Sequence, residues 1–195
     1  METSSFFALL SRMKYIRRWG LMRNANHENV SEHTLEVAMI AHGLAALGRQ
    51  RLGRSVDPGQ VVLYALYHDS SEILTGDLPT PVKYYNPNIK SSYKNVEADA
   101  QQRLLALLPA DLQDSFRPYL VEEGTDKEVA ALVKAADKIS ALIKCVEEAN
   151  MGNREFAQAA DSTLKAIHAM GLQEAELFLE EFMPAYAMTL DELTL

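Results

Sequence analysis

An imidazole and a carboxylate stand side by side at His68-Asp69, directly after the apolar run Val61-Val62-Leu63-Tyr64-Ala65-Leu66-Tyr67. A carboxylate on so apolar a stretch is costly unless it is paired or binds a cation. Glu72 follows four residues after His68 and three after Asp69, the spacing that brings side chains to one helix face. Adjacent helical positions diverge by about 100°, yet an imidazole and a carboxylate can still converge on one ion between them. Asp137 repeats the anomaly within Val129, Leu132, Val133, Ala135, Ala136, Ile139, Leu142 and Ile143. Its ordinary reading is an ion pair with Lys134 or Lys138. Among the five histidines, His33 opens a helical pattern on the face of Glu36, Val37 and Ile40. His42 points the opposite way and reads as packed or surface, and His27 and His168 have no obvious partner.

Two imidazoles, His33 and His68, with the carboxylates of Asp69 and Asp137 form an N2O2 donor set without thiolate. Such a set suits one divalent Mn, Co, Fe, Ni or Zn ion. Four protein ligands leave about two octahedral positions for water and substrate, as a catalytic metal requires. Glu72 is then the proton-transfer candidate beside it. A bare His-Asp pair is common by chance and would ordinarily be a satisfied polar pair. It is the combination that points to metal chemistry.

These residues need helices to position them. Apolar residues recur at helical spacing, with no convincing alternating run. The pattern predicts helices over Phe6 to Ile16 with Ser4 or Ser5 as cap, Ser31 to Leu47 ending near Gly48, Val61 to Leu74 stopping at Gly76, and Ile89 to Leu108. Further helices are expected over Pro109 to Leu120, from a Thr125-Asp126-Lys127-Glu128 capping box to Asn150, over Arg154 to Met170, and over Leu172 to Phe182. Asp57, Pro58 and Gln60 read as a start signal for the third. The two prolines of Asp77-Leu78-Pro79-Thr80-Pro81 argue against helix there. The expectation is an all-α bundle, with residues 1–195 as a single domain.

Composition agrees. The chain has 195 residues, 48% of them hydrophobic and 24% charged, which suits one domain with a substantial core. The net charge of -8 argues against a nucleic-acid polymer as partner, which needs a basic stripe. A small phosphorylated substrate needs only a local positive site. Cys145 is the only cysteine, so no internal disulfide can form, and its apolar surroundings place it in the core. No apolar run reaches membrane-span length and the N-terminus lacks signal-peptide character, so a soluble cytoplasmic protein is expected.

The H…HD…D arrangement, with Glu28-Asn29-Val30-Ser31-Glu32-His33-Thr34, His68-Asp69-Ser70-Ser71-Glu72 and Thr75-Gly76-Asp77-Leu78-Pro79-Thr80-Pro81-Val82-Lys83-Tyr84, resembles the HD-domain phosphohydrolases. It is most similar to the bacterial YfbR-type 5'-deoxynucleotidases, and the likeness runs from Phe6-Phe7 and Arg18-Trp19 to the C-terminal Leu-Asp-Glu. The resemblance implies a single-domain HD helical bundle. It implies hydrolysis of deoxyribonucleoside 5'-monophosphates to deoxyribonucleosides and phosphate, by a homodimer using one divalent cation such as cobalt or manganese. It places the metal ligands on His33, His68, Asp69 and Asp137 and the essential acid on Glu72. Substrate contacts fall on Arg18, Trp19, Asp77, Leu78, Pro79 and Thr80, with His33, Asp69 and Asp137 bordering the substrate as well. This chain has Thr34 and Ser70 where the family commonly has Ser and Ala; neither is a ligand.

On this reading Arg18 clamps phosphate, Trp19 walls the sugar, and Asp77 accepts a hydrogen bond from the 3'-hydroxyl or caps a turn. The rival readings are another HD activity, such as a nucleoside triphosphatase or a phosphodiesterase, and a non-catalytic nucleotide sensor. An apolar stripe at Leu104, Leu105, Leu107 and Leu108 fits either core or interface.

Overall fold

A computed structural model describes residues 3–83 and 85–193, leaving aside the side chains of Thr80 and Pro81. Among the described residues there is no strand, only an isolated bridge between Arg17 and Asn29. The helices are α1 (Phe6–Leu10), α2 (Val30–Leu52), α3 (Pro58–Tyr67), α4 (Glu72–Thr75), α5 (Thr80–Lys83), α6 (Pro87–Ala106), α7 (Ala110–Leu120), α8 (Lys127–Asn150), α9 (Ala157–Ala169) and α10 (Gln173–Glu181).

The main core lies between α2, α3 and α8, with α9 and α10 closing it. Leu44, Val61, Leu132, Ile139, Ile143 and Ile167 are essentially inaccessible there. Phe6 of α1 joins Leu104, Leu105 and Leu108 in a second cluster with Leu120 and Val121. Three of the four leucines in the late stripe are therefore core. Cys145 is buried, as its surroundings predicted. No described helix is long and apolar enough to cross a membrane.

Several boundaries differ from the sequence pattern, each for a local reason. The first helix ends at Leu10 and tightens into a 3-10 turn over Ser11–Tyr15. Helix α2 runs through Gly48 to a left-handed Gly53 (φ 67°). Gly48 lies inside the helix, where its bare Cα lets Glu174 approach; the Glu174 Oε1 would lie 3.1 Å from any Cβ there. Asp126, not Thr125, caps α8 by accepting from the Glu128 amide at 2.7 Å. Thr80 and Pro81 open a helical turn after all, since proline is tolerated in a first turn, where its missing N–H has no intrahelical acceptor.

The largest departure is in the expected Val61–Leu74 helix. Helix α3 stops at Tyr67, residues 68–71 form a turn, and α4 restarts at Glu72. Hydrogen bonds donated by the Ser70 amide to Tyr67 O (3.0 Å) and by the Glu72 amide to Asp69 O (3.0 Å) tighten this segment to an i→i−3 pattern. His68 and Asp69 thus belong to a turn between helices.

A buried ion pair ties the 20s loop to α8. Glu148, fully buried, accepts from Lys144 Nζ (2.5 Å), the Ala25 amide (2.8 Å), the Asn26 amide (3.2 Å) and Asn153 Nδ2 (2.6 Å). Lys144 also donates to the Asn26 carbonyl. Burial opposes the charge on Glu148, but these donors outweigh it and hold the carboxyl down to about 2 from the ordinary 4.5. Removing one partner of such a pair strands the other, at about 3 kcal/mol or more. Glu148→Gln should therefore lower unfolding free energy in urea by that order. A depressed folded-state pKa gives stability that is present above about 4.5 and is lost as pH falls toward 2. The wild-type urea midpoint should fall more steeply across that window than that of Glu148→Gln, and equal slopes would contradict the clamp.

Candidate metal and substrate site

Asn29 caps α2 through a reciprocal box with Glu32, its side chain accepting from the Ser31 and Glu32 amides at 3.0 and 3.1 Å. That cap places His33 on the first turn, fully buried and facing α8. His33 Nδ1 donates to Ser140 Oγ at 3.0 Å, and the Ser140 hydroxyl donates onward to Glu36 Oε2 at 2.5 Å. This chain assigns the proton to Nδ1 and turns Nε2 toward the site. His68 Nδ1 donates to the Ala65 carbonyl at 2.6 Å, so its Nε2 is likewise turned inward.

Asp69 Oδ2 is where these groups meet. It lies 3.2 Å from His68 Nε2, 3.6 Å from His33 Nε2 and 3.4 Å from Arg18 Nη1. One ligand atom each from His33, His68 and Asp69 falls within 4.8 Å of the others. Asp137 adjoins this trio through His33, its Oδ1 3.2 Å from Nε2. It therefore takes the histidine rather than the alternative Lys134 or Lys138.

Both inward Nε2 atoms are buried without a hydrogen-bond partner. Buried polar atoms in native proteins are satisfied, so two orphaned imidazole nitrogens beside carboxylates call for something that accepts their lone pairs. A divalent cation does so, and the N2O2 donor chemistry fits one.

The electrostatics agree. Burial and Arg18 oppose a charge on His33, yet Asp137 and Glu28 prevail and raise it to about 9. Burial opposes charge on Asp137 as well, but His33 holds it down to about 2. Asp69 is also pushed well below the usual carboxylate range, against burial, by His68, His33 and Arg18. Glu72 goes the other way. It is buried on α4 with Oε2 unpartnered, and burial together with Asp69 and Asp77 lifts it to about 9. Acids pushed apart in this way mark one as proton carrier and the others as charge holders.

Arg18 is no solvated surface residue. Its Nε lies 3.3 Å from Glu28 Oε1 and its Nη1 reaches Asp69. Trp19 is half-buried, has the only positive φ (57°) of any described non-glycine residue, and rests edge-on against Phe156 at 5.3 Å. Its indole Nε1 donates to Glu28 Oε2 at 2.9 Å, and its backbone N–H helps offset the burial that raises the Asp77 carboxyl. Leu78 and Pro79 follow, half-buried, and Pro79 O accepts from the Val82 and Lys83 amides. The backbone of Thr80 opens α5, while its side chain is outside the described part. His27 and His42 are exposed, and His168 has a partner after all, Glu176 at 2.8 Å.

The model of the family described as 5'-deoxynucleotidase YfbR-like matches residues 5–186. The chain belongs to this family. It is 49% identical to a 5'-deoxynucleotidase of Vibrio cholerae over 197 residues, covering all of both chains. It is 48% identical to 5'-deoxynucleotidase YfbR of Escherichia coli over 194 residues, covering all of this chain and 98% of that one. Among solved structures it superposes on an HD-domain phosphohydrolase of Listeria innocua with a TM-score of 0.81 and 27% identity, covering 93% and 88% of the two chains. A cyanophage S-2L HD phosphohydrolase, crystallised with dA and one catalytic zinc ion, shares the fold at a TM-score of 0.66 and 22% identity, covering 97% and 98%. The all-α HD bundle anticipated from the sequence is the observed fold.

The sequence pattern passed over Glu28 and Ser140 and gave Glu36 only a place on the His33 face; the three hold the histidine and its neighbours. Ser140 carried a signal of the same kind as Asp137, a polar residue three positions on in the same apolar helix. In metal-free protein His33 should titrate near 9 by NMR. Zinc must bind its neutral form, so calorimetry at pH 7.5 in buffers of different ionisation enthalpy should show about one proton released per ion. Zinc binding without proton release would contradict this site.

Proposed function

We propose that the chain, residues 1–195 acting as one HD-type domain, hydrolyses deoxyribonucleoside 5'-monophosphates to deoxyribonucleosides and phosphate. The observation that carries this reading is the convergence of two orphaned imidazole nitrogens on Asp69 Oδ2, with Arg18 reaching the same atom and Trp19 next to it in the chain. It is supported by full-length relatives named as 5'-deoxynucleotidases and by a fold neighbour bound to dA and zinc.

His33, His68, Asp69 and Asp137 would hold one divalent transition metal; the donor set suits Mn, Co, Fe, Ni or Zn, and the family likeness implies cobalt or manganese. Such an ion, when bound, supplies charge neutralisation at phosphate and a more acidic water. The remaining work falls to the chain's own groups. Arg18 offers its guanidinium to the phosphate oxygens from beside Asp69, as a planar fork suited to two of them. Glu72, buried and holding its proton through the neutral range, donates to the departing 5'-oxygen. Neutralising Asp69 removes part of what raises Glu72, which brings it toward the working pH. Trp19 forms a stiff wall for the sugar, and Asp77, whose carboxyl feels the charge of Arg18 and the backbone N–H of Trp19, is placed to accept from a sugar hydroxyl. The same reading carries a homodimer in the cytoplasm. Leu35 and Met39, exposed one turn apart on α2, are apolar surface available to the pairing.

Metal-stripped protein resupplied with cobalt, manganese, magnesium or zinc should release phosphate from dAMP in preference to AMP, and dGTP should be a poor substrate. Release that is independent of metal would overturn the assignment. Glu72→Gln should cost about a hundredfold or more in kcat while metal affinity holds, and near-normal turnover would remove Glu72 from proton transfer. Trp19→Ala should lose the distinction between dAMP and AMP more than it loses binding, whereas equal losses on both would remove the wall.

A further inference from the structure

We infer that Glu28 is a positioning residue that locks the substrate-reading pair Arg18-Trp19 to the metal-ligating histidine His33 through a single carboxylate. Three N–H groups from separate side chains face it. Trp19 Nε1 donates to Oε2 at 2.9 Å, while Arg18 Nε, which has no hydrogen-bond partner of its own, and His33 Nδ1, which donates to Ser140, each lie at ion-pair distance, 3.3 Å, from Oε1. The Glu28 side chain is only 13% exposed, so these contacts are shielded from water. The backbone repeats the tie, because the Arg18 amide donates to the Glu28 carbonyl at 3.0 Å beside the Arg17–Asn29 bridge.

A carboxylate is the side chain this geometry needs. It presents acceptors on both oxygens and no donor, whereas an amide replaces one oxygen with an NH2 group. In Glu28→Gln that NH2 must face either the indole N–H or the Arg18 and His33 donors. Either the indole N–H loses its acceptor or an NH2 group is set against the Arg18 and His33 N–H groups, and in both cases the carboxylate charge that faces them is gone. His33 keeps Ser140 as a partner, so its loss is partial, but Trp19 has no second partner for Nε1 among the described residues. The junction thus makes sugar recognition and metal retention answer to one residue. Neither a metal ligand nor a substrate contact is required of Glu28 itself.

This inference rests on the proposed function for its substrates and stands apart from it in two readouts. Trp19 is the sole tryptophan, so intrinsic fluorescence and acrylamide quenching report on that indole alone. In Glu28→Gln, quenching should rise clearly, manganese dissociation constants measured by calorimetry should rise about tenfold, and the dAMP-over-AMP preference should fall. Trp19→Phe, which lacks the indole donor, should lose the preference while keeping manganese affinity. Adding Glu28→Gln to Trp19→Phe should then lower the preference no further, because the two act through one contact. Quenching and manganese affinity within about twofold of wild type, or preference losses that multiply in the double variant, would overturn the inference. Should Glu28→Gln lack a cooperative melt, Glu28→Asp carries the same test, since it keeps the charge but is one methylene too short to span all three donors. A wild-type protein that does not distinguish dAMP from AMP would sink the proposed function, while quenching and manganese affinity would still judge Glu28.

Discussion

Charge crowding at one point on the turn after α3 governs the rest of this structure. Asp69 Oδ2 draws two imidazoles and a guanidinium within 3.6 Å, and Asp137 presses on the same histidine from α8. Each of these groups would lose several kcal/mol if buried alone. Packed together, the anions are held ionised, and His33 carries a proton it must surrender to bind a cation. Elements far apart in sequence are thereby joined at a place where no apolar contact could define geometry so closely. Glu72, left without a cation of its own, is the one acid in the group that keeps its proton.

The second requirement is that a loop approach this centre in a fixed pose. The segment from Arg17 to Asn29 contains Gly20 and three asparagines and has little helical pattern to hold it. It is fixed from outside. The Lys144–Glu148 pair takes the amides of Ala25 and Asn26, and Lys144 lies over the Phe156 ring that supports Trp19. The reach of the active site therefore extends to the C-terminal half of α8, a turn and more beyond any residue that faces the centre.

The helices and the acidic and imidazole members of the site were legible because each broke a local rule: His68-Asp69 ended an apolar run, and Asp137 interrupted a core face. Arg18, Trp19 and Asp77 broke none, and only the family likeness singled them out, since an arginine and a tryptophan near a helix end are ordinary. The break in the expected Val61–Leu74 helix was not legible. Its periodicity runs straight through, and only the meeting of Asp69 with His33 and Arg18, set by tertiary contacts, favours a tighter turn there. Glu28 was illegible for a related reason. A glutamate in a polar loop carries no pattern, and its three partners are revealed only when the loop is folded.

Trp19 shows how the two requirements trade against each other. A left-handed backbone costs an L-residue about 1–2 kcal/mol. The repayment is distributed. The Trp19 carbonyl accepts from the Met22 amide and Asn24 Nδ2, and its indole donates to Glu28. At about 1 kcal/mol net for each hydrogen bond, these three contacts exceed the strain by roughly 1–2 kcal/mol. A margin of that size suits the sugar-reading role proposed for Trp19. It is enough to hold the ring in one orientation, yet each supporting contact matters to the balance. Of the proposed metal ligands, His33 and Asp137 stand on helices packed in the main core and His68 and Asp69 on the turn between α3 and α4. The proposed substrate contacts Arg18 and Trp19 stand instead on a loop whose pose depends on a few polar contacts.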